Sequence, residues 1–134
     1  MLLFAREVRT VVPSRLLNQY YQKTLRAAGQ KDDWVATIVF ISRQKIKKLY
    51  RRHAGINKST TVLAFPWQES NVPGKIKYLG EIYIAPAVVR EKFAAVGVSH
   101  KEGLKRIMVH ATLHLLDFDH GSAMTLLEEA VLEN

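Results

Sequence analysis

The stretch that most constrains the fold is Trp34-Val-Ala-Thr-Ile-Val-Phe-Ile41. It is β-branched and nearly all apolar, so it reads as a strand in the interior of a sheet rather than at its edge. Three further segments supply partners: Leu2 to Val8, Thr61 to Pro66 (stopped by its proline), and Tyr78 to Ile84. The segments between and after them carry helical periodicity. One runs from Pro13-Ser14 through Ala28, with Leu16, Leu17, Tyr20, Tyr21, Leu25 and Ala28 recurring on one face and Gly29 ending it. A second starts after Ser42, turns Ile46, Leu49 and Tyr50 inward, and breaks at Gly55-Ile-Asn57. A third opens on Pro86, which suits a first helical turn, and runs to about Ala95.

The fourth helix starts at Ser99, with Glu102 three residues on to complete a capping box. Leu104, Ile107, Met108, Ala111 and Leu115 form its core stripe, and Leu113 lies nearly opposite, so more than one neighbour covers it. A last helix runs from Ser122 or Ala123 to about Leu132, with Met124, Leu127, Val131 and Leu132 apolar. Gln68 to Gly74 reads as a loop with a hairpin. The predicted fold is α+β: a single domain over residues 1–134, with a sheet of about four strands, five helices packed on it, and a central helix that carries a histidine cluster.

That cluster is His110-Ala-Thr-Leu-His114-Leu-Leu-Asp-Phe-Asp119-His120, with spacing H-x3-H-x5-H. Residues four apart on a helix stack on one face, so His110 and His114 offer two imidazoles to one point. His120 follows Asp117, where the helix is expected to end, and a returning chain adds a third. Three neutral imidazoles suit a borderline-soft divalent ion such as zinc, one per chain, with a fourth position open for water or substrate. The H-E-x-x-H glutamate of zinc peptidases is absent, since Ala111 stands in its place. Asp119 fits as the partner of a ligating histidine's outer N–H. As a sequence neighbour it equally fits a turn.

With no cysteine among 134 residues, disulfides are excluded and any transition-metal site must use nitrogen and oxygen. No apolar run approaches the ~18–20 residues of a membrane span, and Met1-Leu2-Leu3-Phe4 meets Arg6, Glu7 and Arg9 at once, so a cytoplasmic location is expected. The formal charge of +8 concentrates in Arg43, Lys45, Lys47, Lys48, Arg51 and Arg52 of the second helix. Such a cluster reads either as a footprint for nucleic acid or as a solvated helix face.

His110-x3-His114-x5-His120, with Leu113, Leu115 and Asp119, resembles the H-G-x-L-H-L-x-G-Y-D-H signature of the YbeY family, metal-dependent endoribonucleases of ribosomal RNA maturation. Thr60 to Pro66 resembles that family's P-T-D-V-L-S-F-P segment, Leu79-Gly80-Glu81-Ile82 its L-G-D-I, and Met124-x3-Glu128-Glu129-x2-Leu132 its closing helix. The blocks stand in the family's order across roughly residues 40 to 132. The resemblance implies zinc on His110, His114 and His120, and single-strand-specific cleavage in small-subunit rRNA maturation and ribosome quality control. Its alternative is a non-catalytic, zinc-containing assembly factor. Glu81, the carboxylate of the L-G-D-I-like block, is a candidate proton acceptor or outer partner of a ligand and equally fits an exposed strand position. Asp119 is the second candidate catalytic carboxylate. The implied partners are ribosomal RNA and small-subunit ribosomal proteins or an assembly GTPase, with no membrane. Several positions depart from the pattern. The family's arginine before the P-T-D-V-L-S-F-P segment aligns with Ala54, its Asp with Thr61, its Ser with Ala64, and both signature glycines with Ala111 and Asp117.

Overall fold

In a computed structural model, which describes residues 1–68 and 76–133, the elements in order are β1 (Leu2–Arg6), α1 (Ser14–Ala27), β2 (Val35–Phe40), α2 (Arg43–Ala54), β3 (Val62–Pro66), β4 (Tyr78–Ile84), α3 (Pro86–Ala94), α4 (His100–Leu115) and α5 (Ser122–Glu133). The α+β reading with four strands and five helices holds. Most of the segment read as a loop with a hairpin, Gln68 to Gly74, lies outside the described residues.

The sheet order is β1-β2-β4-β3. β2 is interior and parallel to both neighbours, whereas β3 pairs antiparallel with β4 at the edge. Alternation along the strands divides the apolar residues between two faces. Ala36, Ile38 and Phe40 of β2 and Ile82 and Ile84 of β4 face α1 and α4, where they meet Leu17, Tyr21, Leu25, Leu104, Met108 and Ala111. Val39, Leu63 and Tyr83 point the other way and pack with Ile46 and Leu49 of α2. The helices thus cover both faces, and α2 stands across the sheet from the histidine helix.

Gly80 of β4 marks the tightest approach between sheet and helix. Its φ is +149°, and a Cβ there would lie 2.3 Å from the Phe65 carbonyl oxygen and 2.9 Å from Leu115 Cδ2. Only glycine lets β3 and the last turn of α4 close on this point. On its far side, α4 buries Val109 and Leu113 in a separate cluster with Tyr20 of α1 and Met124 and Val131 of α5. The two-sided burial expected from Leu113 is therefore realised.

The start of α4 is capped by Ser99, whose Oγ accepts the Glu102 N–H at 3.1 Å. The expected reciprocal bond of a capping box is replaced. The Glu102 carboxylate turns along the helix to Lys105 Nζ at 3.0 Å and Arg106 Nε at 3.5 Å, because two cations within one turn attract it more than a neutral N–H.

Candidate metal centre

The end of α4 sets the geometry of the site. Leu116 caps the helix and Asp117 adopts φ 71°, the only non-glycine residue at positive φ among those described. The Asp117 N–H donates to the His114 carbonyl at 3.0 Å, and the Phe118 N–H reaches back to the Leu113 carbonyl at 3.0 Å. Leu113 and Phe118 also share an apolar cluster. These are the paired bonds and hydrophobic contact of a Schellman termination, with aspartate where glycine is usual. The reversal turns the chain back on the helix and delivers His120 to the histidine pair.

The three rings converge. Centroids lie 4.5 Å apart for His110 and His114, 5.2 Å for His110 and His120, and 4.9 Å for His114 and His120. One ligand nitrogen from each falls within 4.8 Å of the others, and His110 Nε2 and His114 Nε2 are 3.0 Å apart. Zinc–imidazole bonds of about 2.0–2.1 Å in a tetrahedral arrangement place ligand nitrogens about 3.4 Å from one another, which these spacings bracket.

Glu128 of α5 sets the protonation of the first ring. Its Oε2 is 3.3 Å from His110 Nδ1, and since an ionised carboxylate only accepts, Nδ1 carries the proton and Nε2 keeps its lone pair. That lone pair faces His114 Nε2, a close approach relieved by a proton or a cation between them. His114 is held below the usual imidazole pKa, first by burial and then by the neighbouring His110 and His120. The Phe118 backbone and Glu128 pull weakly the other way. Burial thus favours the neutral, ligating form of His114, and three imidazole nitrogens within 4.8 Å of one another fit a divalent ion.

The histidines line a cleft of about 630 Å³ between β3 and α4, closed by Phe93 of α3, Tyr50 of α2 and the turn after α4. Val62 and Ala64 form its strand wall, and Thr61 is buried there. Asp119 lines the cleft, exposed, with no hydrogen bond among the described residues. Glu81 is elsewhere. Its register partner is Phe65, it sits on the α2 face of the sheet, and its carboxylate accepts the Tyr83 hydroxyl at 3.0 Å. That bond and burial push the Tyr83 phenol up to about 12, burial being the larger cause.

The six cations of α2 are also separated from the histidines. Arg43 is paired with Glu91 and Lys45 with Glu7. Lys47, Lys48 and Arg51 line a second hollow with Gln44 and Asn57, and none of the six lines the histidine cleft. The cations in that cleft are Lys92 and Arg106. Glu128 belongs to the closing-helix block, but the sequence assigns it no role in the site. It lies beyond the histidine cluster on another helix, and its signal is a carboxylate on the inward face of α5, between Met124 and Val131.

No helix among the described residues is long and apolar enough to cross a membrane. The family model described as Endoribonuclease YbeY matches residues 5–133. A protein of that name from Thermodesulfovibrio yellowstonii is 34% identical over 104 residues, covering 73% of this chain and 65% of its own length. Another from Thermotoga maritima is 31% identical over 109 residues, covering 80% of this chain and 68% of its own. The chain thus spans about two thirds of the length of these relatives. A solution structure of a Thermotoga maritima protein superposes with a TM-score of 0.65 at 25% identity, covering 99% of this chain and 87% of that one. The family model over residues 5–133 and relatives above 30% identity over most of the chain agree: the chain belongs to the YbeY family.

Proposed function

We propose that this protein is a zinc-dependent endoribonuclease that cleaves single-stranded regions of small-subunit ribosomal RNA during its maturation and quality control. The observation that carries the reading is the convergence of His110, His114 and His120 in an open cleft, with His110 oriented by Glu128. The name that the relatives share, Endoribonuclease YbeY, supports the reaction class. It also makes the non-catalytic assembly factor the less favoured reading.

His110, His114 and His120 hold the ion. Bound there, zinc supplies Lewis-acid polarisation of a phosphoryl oxygen and a water of lowered pKa. The chain's own residues do the rest. Glu128 fixes the His110 tautomer, and the wall of Val62, Ala64 and Phe93 excludes water from one side of the cleft. Asp119, exposed on the open side, is a carboxylate available to move a proton. Glu81 faces α2, on the side of the sheet away from the histidines. Lys47, Lys48, Arg51 and Arg52 are exposed and unpaired among the described residues, and they hold the RNA backbone away from the point of cleavage. The single domain works in the cytoplasm, with rRNA presented by a small-subunit ribosomal protein or an assembly GTPase.

The test is cleavage of a fluorescent single-stranded RNA by RNase-free protein loaded with zinc, compared with the His114→Ala variant. Cleavage that requires both zinc and His114 supports the reading. Equal traces of cleavage in both proteins reject it.

A further inference from the structure

A phosphodiester gains negative charge on its non-bridging oxygens as it is cleaved, and a cationic side chain beside the histidine site would share that charge with an ion held there. Among the residues that line the histidine cleft, the cations are Arg106 and Lys92. The two differ in placement. Arg106 stands four residues before His110 and eight before His114 on α4, so all three share one column of the helix. The step from Arg106 to His110 is about 6 Å along the axis. Lys92 belongs to α3, and its ammonium lies 5.9 Å from the Phe93 ring centre.

Arg106 is also lightly engaged. Its ion pair is through Nε to Glu102 at 3.5 Å, and Glu102 is shared with Lys105, which is closer at 3.0 Å. Its side chain is 47% exposed. The tether holds the stem along the helix, and among the described residues the terminal amino groups carry no partner. A planar guanidinium can place two parallel N–H donors on two phosphate oxygens, which an ammonium cannot. Phe93 supplies an apolar wall of the same cleft. The ring fits there because residue 103 is glycine, where a Cβ would lie 2.5 Å from Phe93 Cδ2. An apolar wall strengthens a charge interaction formed against it.

We propose that Arg106 is a catalytic residue of this cleft, its guanidinium contacting the non-bridging oxygens of the scissile phosphodiester. The inference rests on the endoribonuclease reading.

The test is single-turnover cleavage of a single-stranded RNA oligonucleotide by zinc-loaded wild type, Arg106→Ala and Arg106→Lys, with zinc content measured on each sample. Position 106 is exposed on a helix and alanine favours helices, so the variant folds. Arg106→Ala is expected to lose on the order of 10²–10³ in rate, as loss of one transition-state donor does. Zinc content and KM should be unchanged, and guanidinium ion added to the buffer should restore part of the rate. Arg106→Lys should recover only part. An unchanged rate, or a raised KM with unchanged kcat, overturns the proposal, because Arg106 would then bind ground state and transition state alike. Cleavage that survives His114→Ala counts against the endoribonuclease reading rather than against Arg106. In that event the Arg106 Nε–H nuclear magnetic resonance signal decides, assigned by its loss in Arg106→Ala. Titration with a non-cleavable oligodeoxynucleotide should shift it, and an unmoved signal overturns the proposal.

Discussion

Glu128 Oε2 stands 3.3 Å from His110 Nδ1, a link from the last helix to the first of the three imidazoles. Outer partners of this kind orient the ring and raise its basicity, and their loss typically costs about 10–100-fold in metal affinity. Glu128→Ala should weaken zinc binding by that order. Glu128→Gln, which can still accept through its carbonyl, should weaken it less. Competition with a chromophoric chelator measures both. Equal affinity in all three proteins would detach Glu128 from the site.

His114 contributes to the pH dependence of stability. Its folded-state pKa lies below the ordinary 6.5, mainly through burial, so the unfolded chain binds the extra proton first as pH falls. Its contribution to the stability of the metal-free protein is present above about 6.5 and is lost as pH falls through the folded value. Urea midpoints should therefore drop more between pH 7.5 and pH 5 in wild type than in His114→Gln. Elemental analysis at neutral pH should find about one ion per chain, and His114→Ala should lose most of it.

Asp117 holds a left-handed conformation at the end of α4. An L-residue pays about 1–2 kcal/mol there, less for aspartate. Replacement by glycine also frees the unfolded chain, so Asp117→Gly should stabilise by about 0.5 kcal/mol net, and Asp117→Val should destabilise by about 1–2 kcal/mol. Both should appear in denaturant midpoints. The valine variant should also lose zinc affinity, because the same turn delivers His120.

The exposed cations of α2 predict a salt dependence. If Lys47, Lys48, Arg51 and Arg52 meet RNA phosphates, affinity should fall steeply with salt, each lost contact flattening the slope by about 0.7. The double variant Lys47→Glu/Lys48→Glu should show this flattening with zinc content unchanged. Arg43 and Lys45, already paired with Glu91 and Glu7, should contribute less when replaced by alanine. A slope unmoved in the double variant would return α2 to a solvated face.

What sequence disclosed and what it hid divide by range. Ser99, the stripe from Leu104 to Leu115 and the histidine spacing are written within one helix, where propensity and periodicity act locally, and the span of α4 follows from them. Asp117 could be read as a helix end, but not as a left-handed residue, since aspartate signals turns of several kinds. Glu128 was hidden because its role depends on how α5 docks, through Met124 and Val131, against Val109 and Leu113. Glu81 shows the converse. Its motif sets it beside Ile82, but strand alternation turns neighbours to opposite faces, so it looks away from the histidines. The cations of α2 lie close to the β3 segment in sequence and still miss the cleft, whereas Arg106 reaches it from the histidine helix itself.

The helix that carries His110 and His114 is a party wall between two cores: the sheet-side cluster around Met108 and Ala111, and the smaller cluster it shares with Tyr20, Met124 and Val131. The ion site lies at the seam, tied to the smaller core by Glu128 and by the turn that ends in His120. A zinc ion held there would act as a rivet across that seam. Holding the ion at 100 times its dissociation constant would add about 2.7 kcal/mol to the folded state. Chelation should loosen α5 and the return loop well before it disturbs β2, so the amides that exchange first on zinc removal mark the rivet's reach.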